Sequence, residues 1–339
     1  MLQSISRIIL IRLRMIGDVL LTTPAVHALR RHFPKAQIVY LTGKFAKDVL
    51  LNNPDIDEIL VYGPGIFRKI LEHKVYDLAI NFDGGPESEI LCFLSRAKYR
   101  VGLSGKDTAI HINSEIYNIY PNKLSPASDI IDCFLDLIRA LGLKALNRKT
   151  RLYLTEREKT FAERYLKQHN LEKYIILGIH PGGHGSKNLW GGKKFARLVD
   201  ELISRYGFMV FIFQGPGEET IAEDVYHNIK QKHLSFLVSV LTLRKYISLV
   251  NACKIFIAHD GGPMHISASL GIKTIGIFSP HHAPFSPHHA PFWFPYQDEK
   301  NCVYLQKGSV KDITVGEVLE ATRKILTCTS SRSIHSITL

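Results

Sequence analysis

Runs of apolar residues alternate with segments of mixed polarity along the chain. ISRIILIRL, residues 5–13, predicts a buried parallel strand. A turn is predicted at Gly17 and Asp18, and a helix follows over Asp18–Phe33 because its apolar residues recur at helical spacing. Further strands are predicted at 36–43, Glu58–Tyr62, Leu78–Phe82 and Arg100–Leu103, with helices at Ser88–Ser95 and Asp129–Leu141. This alternation predicts a parallel sheet with helices on both faces.

The second half of the chain repeats this order of elements. After a polar helix at Glu156–Gln168, the pattern predicts a strand in KYIILGIHPGG, a helix at Lys193–Tyr206, a strand in FMVFIFQGPGEE and a strand at Lys254–Ala258. The repetition predicts an α/β protein with two doubly wound, Rossmann-like domains that face each other across a cleft. We place the first domain at residues 1–165 and the second at 166–326. Residues 327–339 are rich in Ser and Thr and are expected to be disordered.

Three glycine-bearing loops follow predicted strands of the second half: HPGGHGSK, QGPGEE and DGGPMH. Ligands of doubly wound sheets bind at the carboxyl ends of strands, and the free amides of a helix N-terminus favour an anion. These loops therefore predict a diphosphate site. The alternative for the third loop is an ordinary turn, in which Gly261 and Gly262 adopt positive φ and Asp260 caps the helix.

The net charge of +12, from 43 Lys and Arg against 31 Asp and Glu, favours acidic partners. No basic tail and no aromatic-basic signature of an RNA-binding sheet is present, so anionic lipid or a phosphorylated substrate is favoured over nucleic acid. Arg7, Arg12 and Arg14 interrupt the first apolar run, which argues against a signal peptide or a membrane span. Any membrane contact is therefore expected to be peripheral.

Neither the cysteines nor the acidic residues predict a metal site. The five cysteines are widely spaced and odd in number, which indicates a reducing compartment and no disulfide framework or zinc site. Asp55 and Asp57 form an Asp-x-Asp triplet, but the preceding Asn-Asn-Pro favours a turn with exposed acids. The duplicated HHAPF segment at 281–292 is interpreted as a loop because its prolines hold the histidines apart.

Four segments carry a resemblance to a known family: RLRMIGDVLLTTPAVHALRRHFP, HPGGHGSKNLW, QGPGEE and DGGPMHISASLG. In this order they resemble the lipopolysaccharide heptosyltransferases of glycosyltransferase family 9, which have the two-domain GT-B fold. The resemblance implies an inverting, metal-independent enzyme that moves heptose from ADP-heptose onto the lipopolysaccharide inner core. It implies no cofactor besides the nucleotide-sugar donor, a lipid-linked phosphorylated acceptor, and a cytoplasmic enzyme that contacts the inner face of the anionic membrane.

The resemblance also assigns roles to residues. Asp18 matches the catalytic base, with a helix N-cap as the alternative role, and Lys187 matches the lysine that meets the charge of the leaving diphosphate. Glu218 is expected to bind the ribose hydroxyls, although Glu219 or a role in the first helical turn are alternatives. The third loop supplies Gly261 and Gly262 for the diphosphate, Asp260 to orient the loop, and His265 either as a hydrogen-bond donor or as a packing residue.

Two departures from the family pattern leave the transferred sugar open. Gly261 stands where threonine is usual in the family, and the loop at Pro280–Pro295 is long and rich in histidine. The alternatives are a GT-B transferase or epimerase that uses another nucleotide sugar such as a UDP-sugar, and a non-catalytic nucleotide-sugar or NAD-binding module. The first strand lacks the GxGxxG pattern, which argues against NAD. Acceptor-side candidates, or alternatively plain loop residues, are Asn81, Asp83, Gly84 and Gly85.

Overall fold

The protein is described by a computed structural model, which covers residues 5–72, 75–102, 116–121, 129–183, 189–278, 293–295 and 301–327. The described residues up to Tyr153 form one compact unit, and those from Leu154 onward form a second. Lys187, the duplicated HHAPF segment and residues 328–339 of the predicted tail lie outside the described residues, whereas Thr327, the first residue of that tail, is the last residue of a helix.

The first unit is built on a five-stranded parallel sheet. Its strands are β1 (Arg7–Arg12), β2 (Gln37–Thr42), β3 (Glu58–Val61), β4 (Leu78–Asn81) and β5 (Tyr99–Val101), in the spatial order β3-β2-β1-β4-β5. The central strand β1 buries residues 8–11 completely, because helices cover both faces of the sheet. The strands predicted for this half are confirmed, with ends that differ by one or two residues.

Helices cover the two faces of this sheet in two groups. They are α1 (Ile16–His32), α2 (Lys47–Leu50), α3 (Ile66–Glu72), α4 (Pro86–Leu94) and α5 (Ile130–Arg139). Ile9 and Ile11 of β1 share a core with α3 and α4, whereas Tyr40 of β2 points to the opposite face and hydrogen-bonds Thr22 of α1. The strand order reverses at β1, so right-handed crossovers put α3 and α4 on the face opposite α1.

The second unit contains a six-stranded parallel sheet. Its strands are β6 (Ile176–His180), β7 (Met209–Ile212), β8 (Ser235–Leu237), β9 (Ile255–His259), β10 (Lys273–Phe278) and β11 (Cys302–Gln306), in the order β11-β10-β9-β6-β7-β8. Its helices are α6 (Glu156–Gln168), α7 (Gly192–Tyr206), α8 (Glu219–Asn228), α9 (Leu243–Asn251), α10 (Gly262–Ser269) and α11 (Val315–Thr327). The two edge strands β8 and β11 were not among the predicted strands.

Helix α6 begins the second unit and is fixed to α9 by one carboxylate. Thr155 and Glu158 form a capping box at the start of α6. Both carboxylate oxygens of Glu158 also accept hydrogen bonds from Arg244 of α9, at 2.6 and 2.7 Å, and this partner lowers the pKa of Glu158 to about 2. The polar helix predicted from the sequence is therefore confirmed, together with a contact that its sequence did not indicate.

The predicted α/β fold with two doubly wound parallel sheets is confirmed. In each sheet the strand order reverses beside the first strand, between β1 and β4 in one unit and between β6 and β9 in the other. Ligands of such sheets bind outside the carboxyl ends of the strands at this reversal. Among the residues that the structure covers, no helix combines the length and the apolar content needed to cross a bilayer.

Candidate active site

A cluster of charged side chains lies at the carboxyl ends of β1 and β4 in the first unit. Arg12 ends β1, and its Nη1 donates to the carbonyl oxygen of Phe82 at 2.7 Å and lies 3.3 Å from Oδ1 of Asp83. Its Nη2 forms an ion pair with Oδ2 of Asp18. The other oxygen of Asp83 accepts the Leu13 amide at 2.7 Å, so this cluster ties the end of β1 to the loop after β4.

Asp18 lies inside helix α1 and not in a turn before it. The helix begins at Ile16, and its N-cap is Met15, which has a positive φ of 57° and an apolar side chain. The prediction of a turn at Gly17 and Asp18 is therefore wrong, and so is the alternative role of Asp18 as N-cap. Asp18 is an acidic residue in the first helical turn, where the helix dipole favours it. No side chain makes a capping hydrogen bond at the N-cap Met15.

The environment of Asp18 makes its carboxylate a stronger base than a carboxylate in water. Burial raises the pKa of Asp18, and this effect exceeds the opposing attraction of Arg12. Arg12 still supplies the counter-ion and a hydrogen bond that orients one carboxylate oxygen. A partly buried carboxylate with raised pKa at the reversal of a doubly wound sheet is suited to accept a proton from a hydroxyl.

The acceptor-side candidates after β4 support the cluster through contacts within the protein. Asn81 is fully buried, donates to Ser88 Oγ at 3.0 Å and Tyr117 Oη at 2.6 Å, and accepts the Asp83 amide. Gly85 is the N-cap of α4. Since the polar atoms of Asn81 and Asp83 are engaged in this way, they position the loop beside Arg12; their contact with an acceptor stays a prediction.

In the second unit, a histidine ends each of the two strands at the reversal of the sheet. His259 ends β9, accepts the Trp190 amide at Nε2 (2.9 Å), and donates from Nδ1 to the Gly182 carbonyl (3.0 Å). Burial lowers its pKa to about 4, which agrees with a neutral ring that has one donor and one acceptor nitrogen. His259 thus binds Gly182 and Trp190, the two residues between which Lys187 falls in the sequence.

His180, at the end of β6, is fixed in the opposite tautomer. Its Nε2 lies 2.9 Å from the Glu218 carboxylate and must carry the proton, while its Nδ1 lies 3.0 Å from the Tyr246 hydroxyl. Burial raises the pKa of Tyr246 well above its ordinary value, so the phenol stays protonated and its O–H donates a hydrogen bond to Nδ1. Tyr246, His180 and Glu218 therefore form one chain of hydrogen bonds with a defined direction.

Glu218 connects two of the three glycine-bearing loops. Its Oε2 accepts the Gly215 amide at 2.6 Å, and its carboxylate also accepts the Gly183 amide. Burial alone would raise the pKa of Glu218, but the hydrogen bonds from His180 and the two amides outweigh burial and lower it. The side chain is 22% exposed, so the carboxylate holds the loops together and still reaches solvent. Its neighbour Glu219 is exposed in the first turn of α8.

The third loop forms the N-terminus of α10. Gly261 is the N-cap and has a φ of 152°, which an L residue rarely adopts, whereas Gly262 is the first helical residue. The interpretation of Asp260 as the cap is therefore wrong, because it precedes the cap by one residue. The His265 amide bonds to the Gly261 carbonyl at 3.2 Å and is not available to a ligand. Within the described part of the chain, the Gly262 amide has no backbone acceptor. It lies at the N-terminus of α10, a position suited to bind an anion.

The side chain of His265 is buried in the packing of α10. Its Nδ1 has no hydrogen-bond partner among the described residues, and its Nε2 is 3.9 Å from Oδ1 of Asp260, beyond hydrogen-bond distance. Burial lowers the pKa of His265 to about 3, so the ring is neutral near pH 7. These contacts fit the packing alternative better than a charged ligand for phosphate.

Both aspartates of the Asp-x-Asp triplet have partners within the first unit. Asp55 is buried and its Oδ2 lies 2.9 Å from Nδ1 of His27, while Oδ2 of Asp57 accepts the Ile38 amide at 2.7 Å and pairs with Arg30. The expectation of two exposed acids is wrong for Asp55. Over the ranges that the structure describes, no group of three or more His, Cys, Asp or Glu side chains is placed to hold a metal ion.

Four residues of these clusters were not predicted: Arg12, His180, Tyr246 and His259. The sequence carries a signal for three of them, because Arg12, His180 and His259 are each the polar residue that directly follows an apolar run at the end of a strand. Tyr246 gave no signal, since it lies on α9, far along the chain from the residues that it contacts.

Comparison with known proteins decides the family of this chain. The sequence profile of glycosyltransferase family 9 (heptosyltransferase) matches residues 66–322, well over half of the sequence. The chain belongs to glycosyltransferase family 9. It is therefore a glycosyltransferase, and the resemblance seen in its sequence is confirmed.

Relatives of this family 9 enzyme cover most of its length. It is 25% identical over 276 residues to lipooligosaccharide heptosyltransferase 2 of Campylobacter jejuni, covering 78% of each chain. Its fold is similar to that of a family 9 glycosyltransferase from Veillonella parvula, with a TM-score of 0.83 at 22% identity over 96% and 98% of the two chains. It is also similar to E. coli ADP-heptose lps heptosyltransferase II, with a TM-score of 0.74 at 20% identity over 94% and 98% of the chains.

Proposed function

We propose that this glycosyltransferase moves a heptose from ADP-heptose onto the lipopolysaccharide inner core, with inversion and without a metal ion. The acceptor class is that of its relatives, which are heptosyltransferases of lipopolysaccharide or lipooligosaccharide. The donor is that of the E. coli ADP-heptose lps heptosyltransferase II, whose fold is similar. The proposal also includes peripheral contact with the cytoplasmic face of the membrane, where a lipid-linked acceptor would be presented.

The Asp18 carboxylate is the observation that carries this proposal. Direct displacement at the anomeric carbon needs one base, which removes the proton of the acceptor hydroxyl while the diphosphate leaves from the opposite side of the sugar. Asp18 is partly buried, has a raised pKa, and is oriented by Arg12. One positioned carboxylate is enough for a single displacement, and a single displacement inverts the configuration at the anomeric carbon.

The second unit is suited to hold the nucleotide diphosphate. The N-terminus of α10 supplies amide groups and the positive end of its dipole, and Lys187 falls in the sequence between Gly182 and Trp190, both of which His259 binds. Glu218 reaches solvent beside both loops and is an acceptor suited to ribose hydroxyls. These groups would meet the developing charge of the leaving diphosphate with a lysine and amide dipoles, which is why we propose metal-independent transfer.

The test is a transfer assay with ADP-heptose and a lipopolysaccharide core acceptor that lacks heptose. We expect turnover that is unaffected by EDTA and a product whose new linkage has the opposite anomeric configuration to the donor, as read by NMR. Asp18→Asn should bind ADP normally and reduce kcat by roughly 10²- to 10⁴-fold, the usual contribution of a general base. Glu87→Gln, which alters an exposed acid in the first turn of α4, is the control and should retain full activity.

Two results would contradict the proposal. Full activity in Asp18→Asn would remove Asp18 from the chemistry. Thermal stabilisation by UDP or NAD but not by ADP would instead favour a different nucleotide sugar or a binding module, since a ligand at a hundred times its Kd stabilises a protein by about 2.7 kcal/mol.

A further inference from the structure

Helices α3 and α4 each expose large apolar side chains on the side that faces away from the sheet. Their buried sides carry Ile66 and Ile70 on α3 and Leu91 and Cys92 on α4, all in the core of the first unit. Their outer sides carry the four residues of what we call the α3–α4 surface: Phe67, Leu71, Ile90 and Phe93, which are 39%, 45%, 48% and 56% exposed. One exposed apolar residue is ordinary, but four on two neighbouring helices indicate an interaction surface.

Arg96 joins the two halves of the α3–α4 surface. Its Nη2 donates to the carbonyl oxygen of Leu71 on α3 at 3.0 Å, and its amide donates to the carbonyl oxygen of Phe93 on α4 at 3.0 Å. The guanidinium of Arg100 lies over the Phe93 ring, 6.0 Å from the ring centroid. The apolar residues at the ends of α3 and α4 are therefore neighbours, and cations lie directly beside them.

The charges around the α3–α4 surface are mainly positive. Exposed cations are present on α3 and in the segment after α4, and they are Arg68, Lys69, Arg96 and Lys98. Arg68 is paired with Glu72, and the other exposed acid of the two helices, Glu87, is paired with Arg14, so Lys69, Arg96 and Lys98 carry the excess positive charge. The surface thus combines aromatic and aliphatic side chains with a basic rim, the combination that binds the boundary between lipid head groups and acyl chains.

We propose that the α3–α4 surface docks this enzyme onto an anionic lipid bilayer, with Phe67 and Phe93 entering the interface and the basic rim contacting lipid phosphates. This proposal rests on the proposed function, which supplies the reason to dock: an acceptor anchored in lipid is reached from the surface of the bilayer. The binding itself is measurable without turnover.

The charge distribution favours a bilayer over a second copy of this chain. In a twofold dimer the same surface would face itself, so the cations of one basic rim would approach those of the other and repel them. Anionic head groups present the complementary sign instead. A bilayer can also accept Ile90 and Leu71 together with the two aromatic rings, without requiring a partner surface of matching shape.

The experiment is flotation of the full chain with phosphatidylcholine vesicles, with and without 30% phosphatidylglycerol (about one anionic lipid in three, enough for a clear negative surface potential). We expect flotation with the anionic vesicles and weak flotation with the neutral ones. The double variant Phe67→Ser/Phe93→Ser should bind the anionic vesicles at least roughly tenfold more weakly, since two inserted rings are lost. Arg96→Gln/Lys98→Gln should lower binding and reduce its dependence on salt.

Leu146→Ser/Ile175→Ser is the matched control, because these side chains are 81% and 58% exposed and belong to neither α3 nor α4. Equal flotation of the control and of Phe67→Ser/Phe93→Ser would overturn the proposal. So would a wild-type dimer, seen by light scattering, that the Phe67→Ser/Phe93→Ser variant converts to a monomer, since the partner would then be a second copy.

Failure of the docking proposal is distinguishable from failure of the proposed function. With a soluble, delipidated core oligosaccharide as acceptor, the Phe67→Ser/Phe93→Ser variant should keep the turnover of the wild type while losing activity on vesicle-bound acceptor. If the wild type transferred no heptose from ADP-heptose but vesicle binding depended on Phe67 and Phe93, the proposed function would be wrong and the docking surface would stand.

Discussion

The Asp18 carboxylate and the Arg12 guanidinium form a partly buried ion pair, and the same guanidinium holds the carbonyl of Phe82 and a carboxylate oxygen of Asp83. The pair joins the first turn of α1 to the ends of β1 and β4. Asp18 therefore keeps a fixed counter-ion while burial raises its pKa.

This arrangement predicts the acid side of the pH–rate profile. Activity requires ionised Asp18, so kcat/KM should fall as pH decreases through a pKa above the usual aspartate value. Arg12→Gln removes the cation that opposes burial, so the midpoint of this fall should move to higher pH, while Arg12→Lys should keep it near that of the wild type. Arg14→Gln, which alters an exposed arginine paired with Glu87, is the control. A midpoint unchanged in a folded Arg12→Gln variant would contradict the assignment.

Lys187→Ala should weaken binding of ADP by about 1–3 kcal/mol, or roughly 5- to 150-fold in Kd, because a charge-assisted hydrogen bond to the diphosphate is lost. Titration calorimetry measures the change. Lys193→Ala is the control, because this lysine is exposed in the first turn of α7 and lies only a few residues after Lys187 in the sequence. Equal affinity of the two variants for ADP would remove Lys187 from the site.

Tyr246→Phe should raise the KM for the donor and leave kcat nearly unchanged. The variant removes the donor that fixes the tautomer of His180, and His180 then holds the Glu218 carboxylate less firmly. The expected loss of stability is about 1 kcal/mol, as for one buried hydrogen bond. Tyr226→Phe on α8 is a control for the same chemical change. A lowered kcat with unchanged KM would show that Tyr246 does not act through donor binding.

Gly182→Ala should also weaken donor binding, because the added Cβ would overlap the carboxyl group of Glu218. A Cβ at Gly182 would occupy the position of the Glu218 carboxyl group and push it away from the Gly215 amide. Gly63→Ala, where a Cβ meets no atom within 4 Å, is the matched control. We expect weaker ADP binding in Gly182→Ala alone, measured by thermal shift. Wild-type binding in both variants would show that Glu218 has no role in holding the nucleotide.

Stability should decrease between pH 6.5 and pH 4. His259 and His265 have pKa values of about 4 and 3 in the folded chain, against 6.5 for an ordinary histidine, so the unfolded chain takes up protons in this window and the folded chain does not. The contribution of each histidine to the free energy of unfolding is complete above pH 6.5, and about 2 kcal/mol of it is lost by pH 5. Urea unfolding at pH 7.5 and pH 5 measures the loss. His265→Gln should reduce it, while His233→Gln, at an exposed histidine, should not.

The sequence predicts most of the strands because parallel strands buried on both faces form continuous apolar runs, as in β1 and β9. It predicts the edge strand β8 poorly, because only three residues pair and they are partly polar. The sequence predicts the start of α1 two residues too late, because Gly17 and Asp18 are typical turn residues, whereas in the structure Asp18 lies inside the helix and pairs with Arg12. Contacts such as Tyr246 with His180 depend on the tertiary arrangement, which local patterns do not encode.

The double hold on the HPGG loop restricts how this enzyme can change over evolution. His259 binds the Gly182 carbonyl and Glu218 binds the Gly183 amide, which belong to one peptide group, so a residue inserted or deleted between the end of β6 and Gly183 would move this group away from both partners. We therefore expect a change of donor to come from exchanged side chains, with the length between His180 and Gly183 kept constant. Insertions and deletions in relatives of this chain should instead accumulate in segments that are not hydrogen-bonded to a buried histidine at the end of a strand.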